Sequence, residues 1–577
     1  MKLSTWLLGC TAAVGLGAWA LAPVAAAASP AHAAFGPDSK FKHIVVIYQE
    51  NHSFDNLYGS WDAVEGATVN GLASADADHT KQLRQDNSAY GCLYQLDVNL
   101  TSPPLPATCT DNSGSVPISS DFTNQPFQID SFIPSSATTC PAPGQFAANG
   151  IPDGQGLPGG CTRDIVHRFY SEQYQIDGGR QDHYMTGSDA SGLTMGHYDS
   201  TQLPIYQYLH SDGAPHYVIT DNFFQGAFGG SFLNHQWLVS AAPPFFAGAA
   251  HDGGSTDLHS VVDSNGMPTA TPLYTPTATV KDSQLTQACA TRGGHRVNTD
   301  LACGDYAVNT SQPVYQPFSP GTASYKQVQP LTNTTIGDEL SAAGVNWAWY
   351  SGGWANANGD VGHPGWTNGT FADHACMDPN ALATATWPNC PDKDFQFHHQ
   401  PLNYYASFAP GTRMRREHLR DEAEFIQRAN EGKLLPVSFV KALGEENEHP
   451  GYASESQGSS HLVDLIKAIA NGKDGKNTLI IVTYDEFGGQ WDHVPPPGNP
   501  GGPDGPHDKW GPGTRIATMV IAPKFKHSGV DHDEHETTSI LSTIEHQFNL
   551  PAMGTRDAAV SDLSSAVSVG LKGNRKK

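Results

Sequence analysis

Two apolar runs in this 577-residue chain end on side chains rich in oxygen. His43-Ile44-Val45-Val46-Ile47-Tyr48 leads into Gln49-Glu50-Asn51-His52-Ser53-Phe54-Asp55, and Leu479-Ile480-Ile481-Val482-Thr483-Tyr484 leads into Asp485-Glu486-Phe487-Gly488-Gly489. If both runs are strands of one sheet, Glu50, Asn51, Asp485 and Glu486 gather beyond the same edge, where open α/β sheets bind their ligands. Carboxylates that converge repel one another, and a cation between them removes the repulsion. Oxygen donors suit one hard divalent ion, Mg, Mn or Ca, with Fe also open. The residues alone leave a second possibility, in which the two acidic clusters cap separate loops in solvent. A third run, His216 to Thr220, passes through Asp221-Asn222-Phe223-Phe224 to Gly229-Gly230-Ser231-Phe232-Leu233-Asn234-His235. A glycine-rich turn that opens a helix offers backbone N–H groups to an anion. Ser231 at that junction reads either as a helix N-cap or, beside a metal, as a phosphoryl-transfer nucleophile.

These residues need a scaffold, and the pattern of apolar runs supplies one. Strands are expected at His43 to Tyr48, His216 to Thr220, Leu435 to Val440, Thr478 to Tyr484 and Ile516 to Ile521, with Val345 to Tyr350 as a sixth. Helical periodicity marks Phe232 to Ser240, Thr334 to Ala343, His418 to Glu431, Ser459 to Ala470 and Thr537 to Phe548. Strands alternating with helices predict an α/β fold, a mostly parallel sheet covered on both faces. Segments near 60–160 and 245–330 lack periodicity, carry turn residues and read as loop-rich insertions in a single catalytic domain over 34–577.

Composition narrows the function. With 32 Lys and Arg against 57 Asp and Glu, the formal charge of -25 repels polyanions and argues against a nucleic-acid partner. The amino end reads as a signal peptide over 1–33: Lys2, an apolar stretch from Trp6 to Ala28, and a small-residue cleavage site at Ala31-His32-Ala33. Removing it takes away Cys10 and leaves eight of the nine cysteines, an even set that fits an oxidising, periplasmic or secreted location. The simplest pairing joins sequence neighbours: Cys92 with Cys109, Cys140 with Cys161, Cys289 with Cys303, Cys376 with Cys390. No CxxC pair supports a zinc ribbon or thioredoxin chemistry.

Glu50-Asn51-His52-Ser53-Phe54-Asp55, the Asp221 to Ser231 segment, Asp485-Glu486-Phe487-Gly488-Gly489 and Trp491-Asp492-His493 together resemble the bacterial phosphoesterase family of acid phosphatases and phospholipases C, within the alkaline-phosphatase-like superfamily. The resemblance spans about residues 41 to 550 and implies a three-layer α/β/α sandwich, one metal centre and a serine or threonine that is transiently phosphorylated. Carried over by position, Glu50, Asn51, Asp485, Glu486 and the Ser231 oxygen would hold the metal. His167, His399 and His449 would serve catalysis, while His398, His493 and Asn234 would contact substrate; whether His398 or His399 faces phosphate stays open. Asp492, His507 and Arg515 stand behind them. Ser at 231 is similar to the acid phosphatase branch; the phospholipase branch uses Thr. The basic Lys572 to Lys577 tail leaves no length for the carboxyl-terminal modules of long phospholipases C.

The expectation is therefore an exported acid phosphatase acting on small phosphate monoesters, favouring mildly acid pH because imidazolium groups would hold phosphate. Phospholipase C is the alternative, and membrane contact is expected only in that case. A non-catalytic, metal-dependent envelope protein is a further alternative of another class.

Overall fold

The computed structural model describes residues 41–574 apart from 96–104, 115–116, 138–163, 249–283, 290, 293–294, 297–300 and 370–374. The expected signal peptide, the Cys140–Cys161 couple and the end of the basic tail lie outside the described residues.

Every expected strand forms, and all join one eight-stranded sheet. We label its strands β1 (His43–Gln49), β2 (Tyr217–Thr220), β3 (Trp347–Ser351), β4 (Leu419–Asp421), β5 (Val437–Lys441), β6 (Thr478–Tyr484), β7 (Thr518–Ile521) and β8 (Gly529–Asp531). Their spatial order is β4-β3-β5-β1-β6-β7-β2-β8. Neighbours run parallel except around β7, which is antiparallel to both β6 and β2. β1, β5, β6 and β2 therefore end at the same edge. The unbroken Val/Ile runs are explained by burial on both faces: Val45, Val46, Ile47, Leu479, Ile480 and Ile481 expose at most a trace of surface.

The flanking helices are α1 (Phe169–Ile176), α2 (Ser231–Ser240), α3 (Ile336–Ala342), α4 (Glu422–Glu431), α5 (Glu455–Asn471), α6 (Thr537–Phe548) and α7 (Ser564–Lys572). α2 packs with α3 and α6, whereas α4 packs with α5. The two sets sandwich the sheet, giving the three-layer α/β/α arrangement. Every residue of α2 is buried, which is why its sequence shows little amphipathic contrast.

Two expected boundaries move for local reasons. The periodic stretch His418 to Glu431 splits, because Leu419–Asp421 pairs with β3 as an edge strand and the Asp421 carboxylate caps α4 by accepting from the Ala423 N–H. α5 starts four residues before Ser459, where Ser454 accepts the Gln457 N–H as its cap. Edge strands β4 and β8 are three residues each, too short to show a period. The disulfides Cys92–Cys109, Cys289–Cys303 and Cys376–Cys390 form as neighbour pairs. Among the described residues no helix is long and apolar enough to cross a membrane.

Candidate active site

Register brings the two acidic motifs together. Gln49 pairs with Tyr484 at the ends of β1 and β6, so Glu50 and Asp485 leave adjacent strands at one level. Asn51 then takes a left-handed conformation (φ 57), which turns its N–H onto Asp485 Oδ1 at 3.1 Å. Gly488 must be glycine there, since a Cβ on it would lie 2.2 Å from the Asn51 carbonyl oxygen.

The serine comes from β2 by way of the glycine turn. Gly230 is the N-cap of α2, with no side-chain cap bond, and Ser231 is the first helical residue. The capping role open in the sequence is thus not the one Ser231 plays. Its Oγ lies 3.3 Å from Glu50 Oε2, 3.4 Å from Asn51 Oδ1 and 3.4 Å from Glu486 Oε1. Three oxygen donors from two strand ends thus surround one hydroxyl at a helix N-terminus.

Hydrogen-bond logic assigns the neighbouring rings. His449 Nδ1–H donates to the Pro450 carbonyl at 2.8 Å, leaving Nε2 to accept from Asn51 Nδ2 at 3.0 Å. That fixes the amide of Asn51 with Oδ1 toward Ser231. In this arrangement His449 orients Asn51. His399 Nδ1 lies 3.2 Å from Glu50 Oε1, and the buried His235, one helical turn beyond Ser231, stacks on His399 at 4.8 Å between ring centroids. His399 serves the carboxylate below the serine, while His398 is half-buried with its ring edge-on to His399 at 4.3 Å. His167 Nε2 lies 3.1 Å from Glu486 Oε1, and it keeps 15% of its side-chain surface exposed. His167 approaches the turn where Gly230 has no Cβ to obstruct it.

Asn234 and His493 stand elsewhere than a substrate-contact role requires. Asn234 is fully buried; its Oδ1 accepts from Ala227 N at 2.9 Å, and its Nδ2 donates to the Gly229 carbonyl at 3.1 Å. It braces the glycine turn. His493 bonds Asp55 Oδ2 at 2.5 Å in a separate buried cluster where Arg515 joins Asp55 and Asp492. His507 lies on an exposed loop outside the serine's contacts. The centre includes two groups the sequence reading did not name as site residues. Lys441, at the end of β5, places its ammonium on Glu50 Oε1 and 3.1 Å from the Tyr48 carbonyl oxygen. His235 donates from Nδ1 to the Ser231 carbonyl at 2.7 Å. The i, i+4 spacing from Ser231 and the first polar residue after an apolar strand are the signals that mark them.

A buried amide ties the loops into one body. Gln225 Oε1 accepts from Phe487 N at 3.0 Å, while its Nε2 donates to Glu172 Oε2 at 3.0 Å and to the Ala227 carbonyl at 2.7 Å. Glu172, from α1, also accepts from Gly229 N and Thr514 N. Burial pushes its carboxyl up to about 8 despite those donors.

The donor set fits a cation. Burial first, and then the charge of Asp485, hold the Glu50 and Glu486 carboxyls well above the ordinary range. Asp485 Oδ2, His235 Nε2 and His399 Nε2 are buried without a hydrogen-bond partner. Buried acceptors without donors, beside converging carboxylates, are groups that a divalent ion would satisfy. Glu50, Asn51, Asp485, Glu486 and Ser231 would hold it.

A pH signature follows. The raised folded-state pKa values of Glu50 and Glu486 mean that, without a cation, these groups contribute stability that is complete below their unfolded values of about 4.5 and is lost as pH rises through the folded values. Chelator-treated protein should therefore melt at lower temperature at pH 8 than at pH 5.5, and added divalent ion should raise Tm more at pH 8. Equal chelator effects at the two pH values in thermal unfolding would contradict this placement of the carboxylates.

The phosphoesterase family matches residues 41–131 and 142–551. Phospholipase C A of Mycobacterium tuberculosis is 23% identical over 597 residues, an alignment covering 99% of this chain and 85% of that protein. Phospholipase C B of the same organism is 30% identical over 174 residues, covering 27% of this chain; in that alignment the chain spans only 33% of the relative's length. A solved protein of the alkaline phosphatase superfamily from Vibrio parahaemolyticus covers 40% of this chain and 51% of its own at 11% identity and a TM-score of 0.22. The family match covers most of the described residues, and the chain belongs to the phosphoesterase family.

Proposed function

We propose that the chain is a phosphomonoesterase that works through a phosphoserine on Ser231. The observation that carries this reading is the hydroxyl of Ser231 lying within 3.4 Å of Glu50, Asn51 and Glu486 at the start of α2. A divalent ion bound by these residues supplies charge neutralisation at the phosphoryl oxygens and a lowered serine pKa. Ser231 Oγ passes its proton to the Glu50 carboxylate, whose Oε2 lies 3.3 Å away, and attacks phosphorus in line, its P–O bond forming as the ester P–O bond breaks. The helix N-terminus faces the anion with its unpaired amides. His167, the most exposed of the imidazoles bonded to the centre, is placed to protonate the departing alkoxide, and water then hydrolyses the phosphoserine.

The pKa directions run against the mild-acid expectation. Burial, reinforced by Lys441 and neighbouring rings, drives His398 down to about 3 and His235, His399 and His449 well below the usual imidazole range. Among the described residues, Lys441 is the side-chain cation paired with Glu50, beside the serine.

A second reading, phospholipase C, is favoured by the names of the relatives in Mycobacterium tuberculosis. Turnover of p-nitrophenyl phosphate against phosphatidylcholine separates the two. Faster turnover of the monoester is expected, and preference for the intact lipid would replace the first reading with the second. Export and a single catalytic domain over 34–577 belong to the same proposal, supported by the leader-like residues 1–33 and by the three disulfides.

A further inference from the structure

A second convergence of ligand-capable side chains lies in the loop that closes α1. Asp177 ends the helix in the left-handed region (φ 46), Gly178 and Gly179 continue with positive φ, and the chain then delivers Arg180, Gln181, Asp182 and His183. Three donor atoms meet there. His183 Nδ1 lies 2.8 Å from Asp177 Oδ2 and 2.9 Å from Asp182 Oδ1. Asp182 and His183 are each only 3% exposed.

The protons on the ring can be assigned. His183 Nε2 is 3.1 Å from the Arg84 carbonyl oxygen, which only accepts, so Nε2 carries a proton. In the neutral ring, Nδ1 then turns a lone pair toward two carboxylates. Although the atoms stand so close, neither His183 Nδ1 nor Asp182 Oδ1 makes a well-aligned hydrogen bond. Asp177, Asp182 and His183 each offer one ligand atom, and the three lie within 4.8 Å of one another. Arg180 pairs with Asp177 Oδ2 and, at 3.2 Å, with Asp182 Oδ2, so one guanidinium faces two carboxylates, and the second negative charge is met either by a proton on His183 or by a cation in its place. An imidazole whose far N–H is fixed on a carbonyl also has the support typical of a metal-ligating histidine.

We propose that Asp177, Asp182 and His183 form a second divalent-cation site, whose mixed carboxylate and imidazole donors suit Zn2+ or Mn2+. The site is distinct from the serine centre and shares no residue with it. Its position gives it a mechanical role. Leu83 N–H donates to the Asp182 carbonyl at 2.7 Å and Gln82 Nε2 to the Gln181 carbonyl at 3.0 Å, so an ion here fastens the segment around Arg84 to the end of α1. α1 carries Glu172, which holds the glycine turn before Ser231. Without an ion, a proton takes its place: burial, which lowers the His183 pKa, is outweighed by Asp177 and Asp182, which raise it to about 9.

The test counts ions in the full-length protein. Chelator-stripped wild type and Asp182→Asn, which preserves side-chain size, are re-equilibrated with Zn2+ alone at pH 8, desalted and analysed for metal per chain. A loss of one equivalent in Asp182→Asn, with circular dichroism unchanged, is the expected result. Equal content in the two proteins overturns the site. The comparison is by difference, so it stands whether or not the serine centre is loaded, and Glu50→Gln reports on that centre separately. If Asp182→Asn does not fold, anomalous diffraction from Zn2+-loaded wild-type crystals decides: a peak beside His183 Nδ1 supports the site and its absence overturns it.

Discussion

Ser231→Ala is expected to lower kcat at least about 10³-fold on every phosphate ester the enzyme takes, because no second hydroxyl replaces a lost nucleophile. The fold should survive. Ser231 is the first residue of α2 and not its cap, so alanine removes no capping bond and has the best helix propensity. The removed hydroxyl meets three oxygens of Glu50, Asn51 and Glu486, groups that repel in its absence only if no cation joins them. A Tm within a few degrees of wild type is therefore expected in the presence of divalent ion. Acid quenching during turnover of a radiolabelled phosphate ester should trap label on wild type and none on Ser231→Ala. Ser231→Thr, which keeps a hydroxyl, should retain a measurable part of the activity. Turnover by Ser231→Ala within tenfold of wild type would end the nucleophile assignment and leave a binding protein as the better description.

The second large effect concerns the pair beneath the serine. Glu50 meets Lys441, His399 and Ser231 with its two oxygens, and Lys441 and Glu50 are both buried. Removing one partner of a buried ion pair strands the other, at about 3–5 kcal/mol, whereas replacing both with neutral groups is close to neutral. Glu50→Gln should therefore lower stability and weaken divalent-ion affinity by at least about 10²-fold, a ligand loss exceeding the 10–100-fold typical of supporting groups. Combining it with Lys441→Met should recover most of the stability and none of the ion affinity or activity. Chemical denaturation and ion titration of the single and double variants check both halves. Full ion affinity in the folded double variant would show that Glu50 is a structural counter-charge only.

Much of this was readable from residue order, for physical reasons that also explain what was not. A fully buried parallel strand must be apolar throughout, so β1 and β6 announce themselves, and the polar residues that follow them are marked as edge groups. β4 and β8 pair over three residues at the sheet's margins and leave no period to detect. Residue type could nominate His167, His399 and His449, but their roles depend on which nitrogen meets which atom. His449 turned out to be committed on both sides, to Pro450 and Asn51, which no spacing rule reveals. Asn234 sits three residues past Ser231 and looks available, yet its amide is consumed by the glycine turn it follows. Lys441 carries no motif of its own, because the apolar run ends at Val440 and the strand continues one residue further. Gln225 lies inside the Asp221 to Ser231 motif and Glu172 in α1, yet only packing shows that the two join α1 to both catalytic loops.

The lysine on Glu50 also bears on the order of events in the life of the molecule. A pocket made solely of carboxylates would wait for its inorganic partner before the chain could close around it. Here a tethered ammonium already shields one flank, so collapse of the polypeptide and capture of the ion become separable steps, with the second left to whichever compartment provides it.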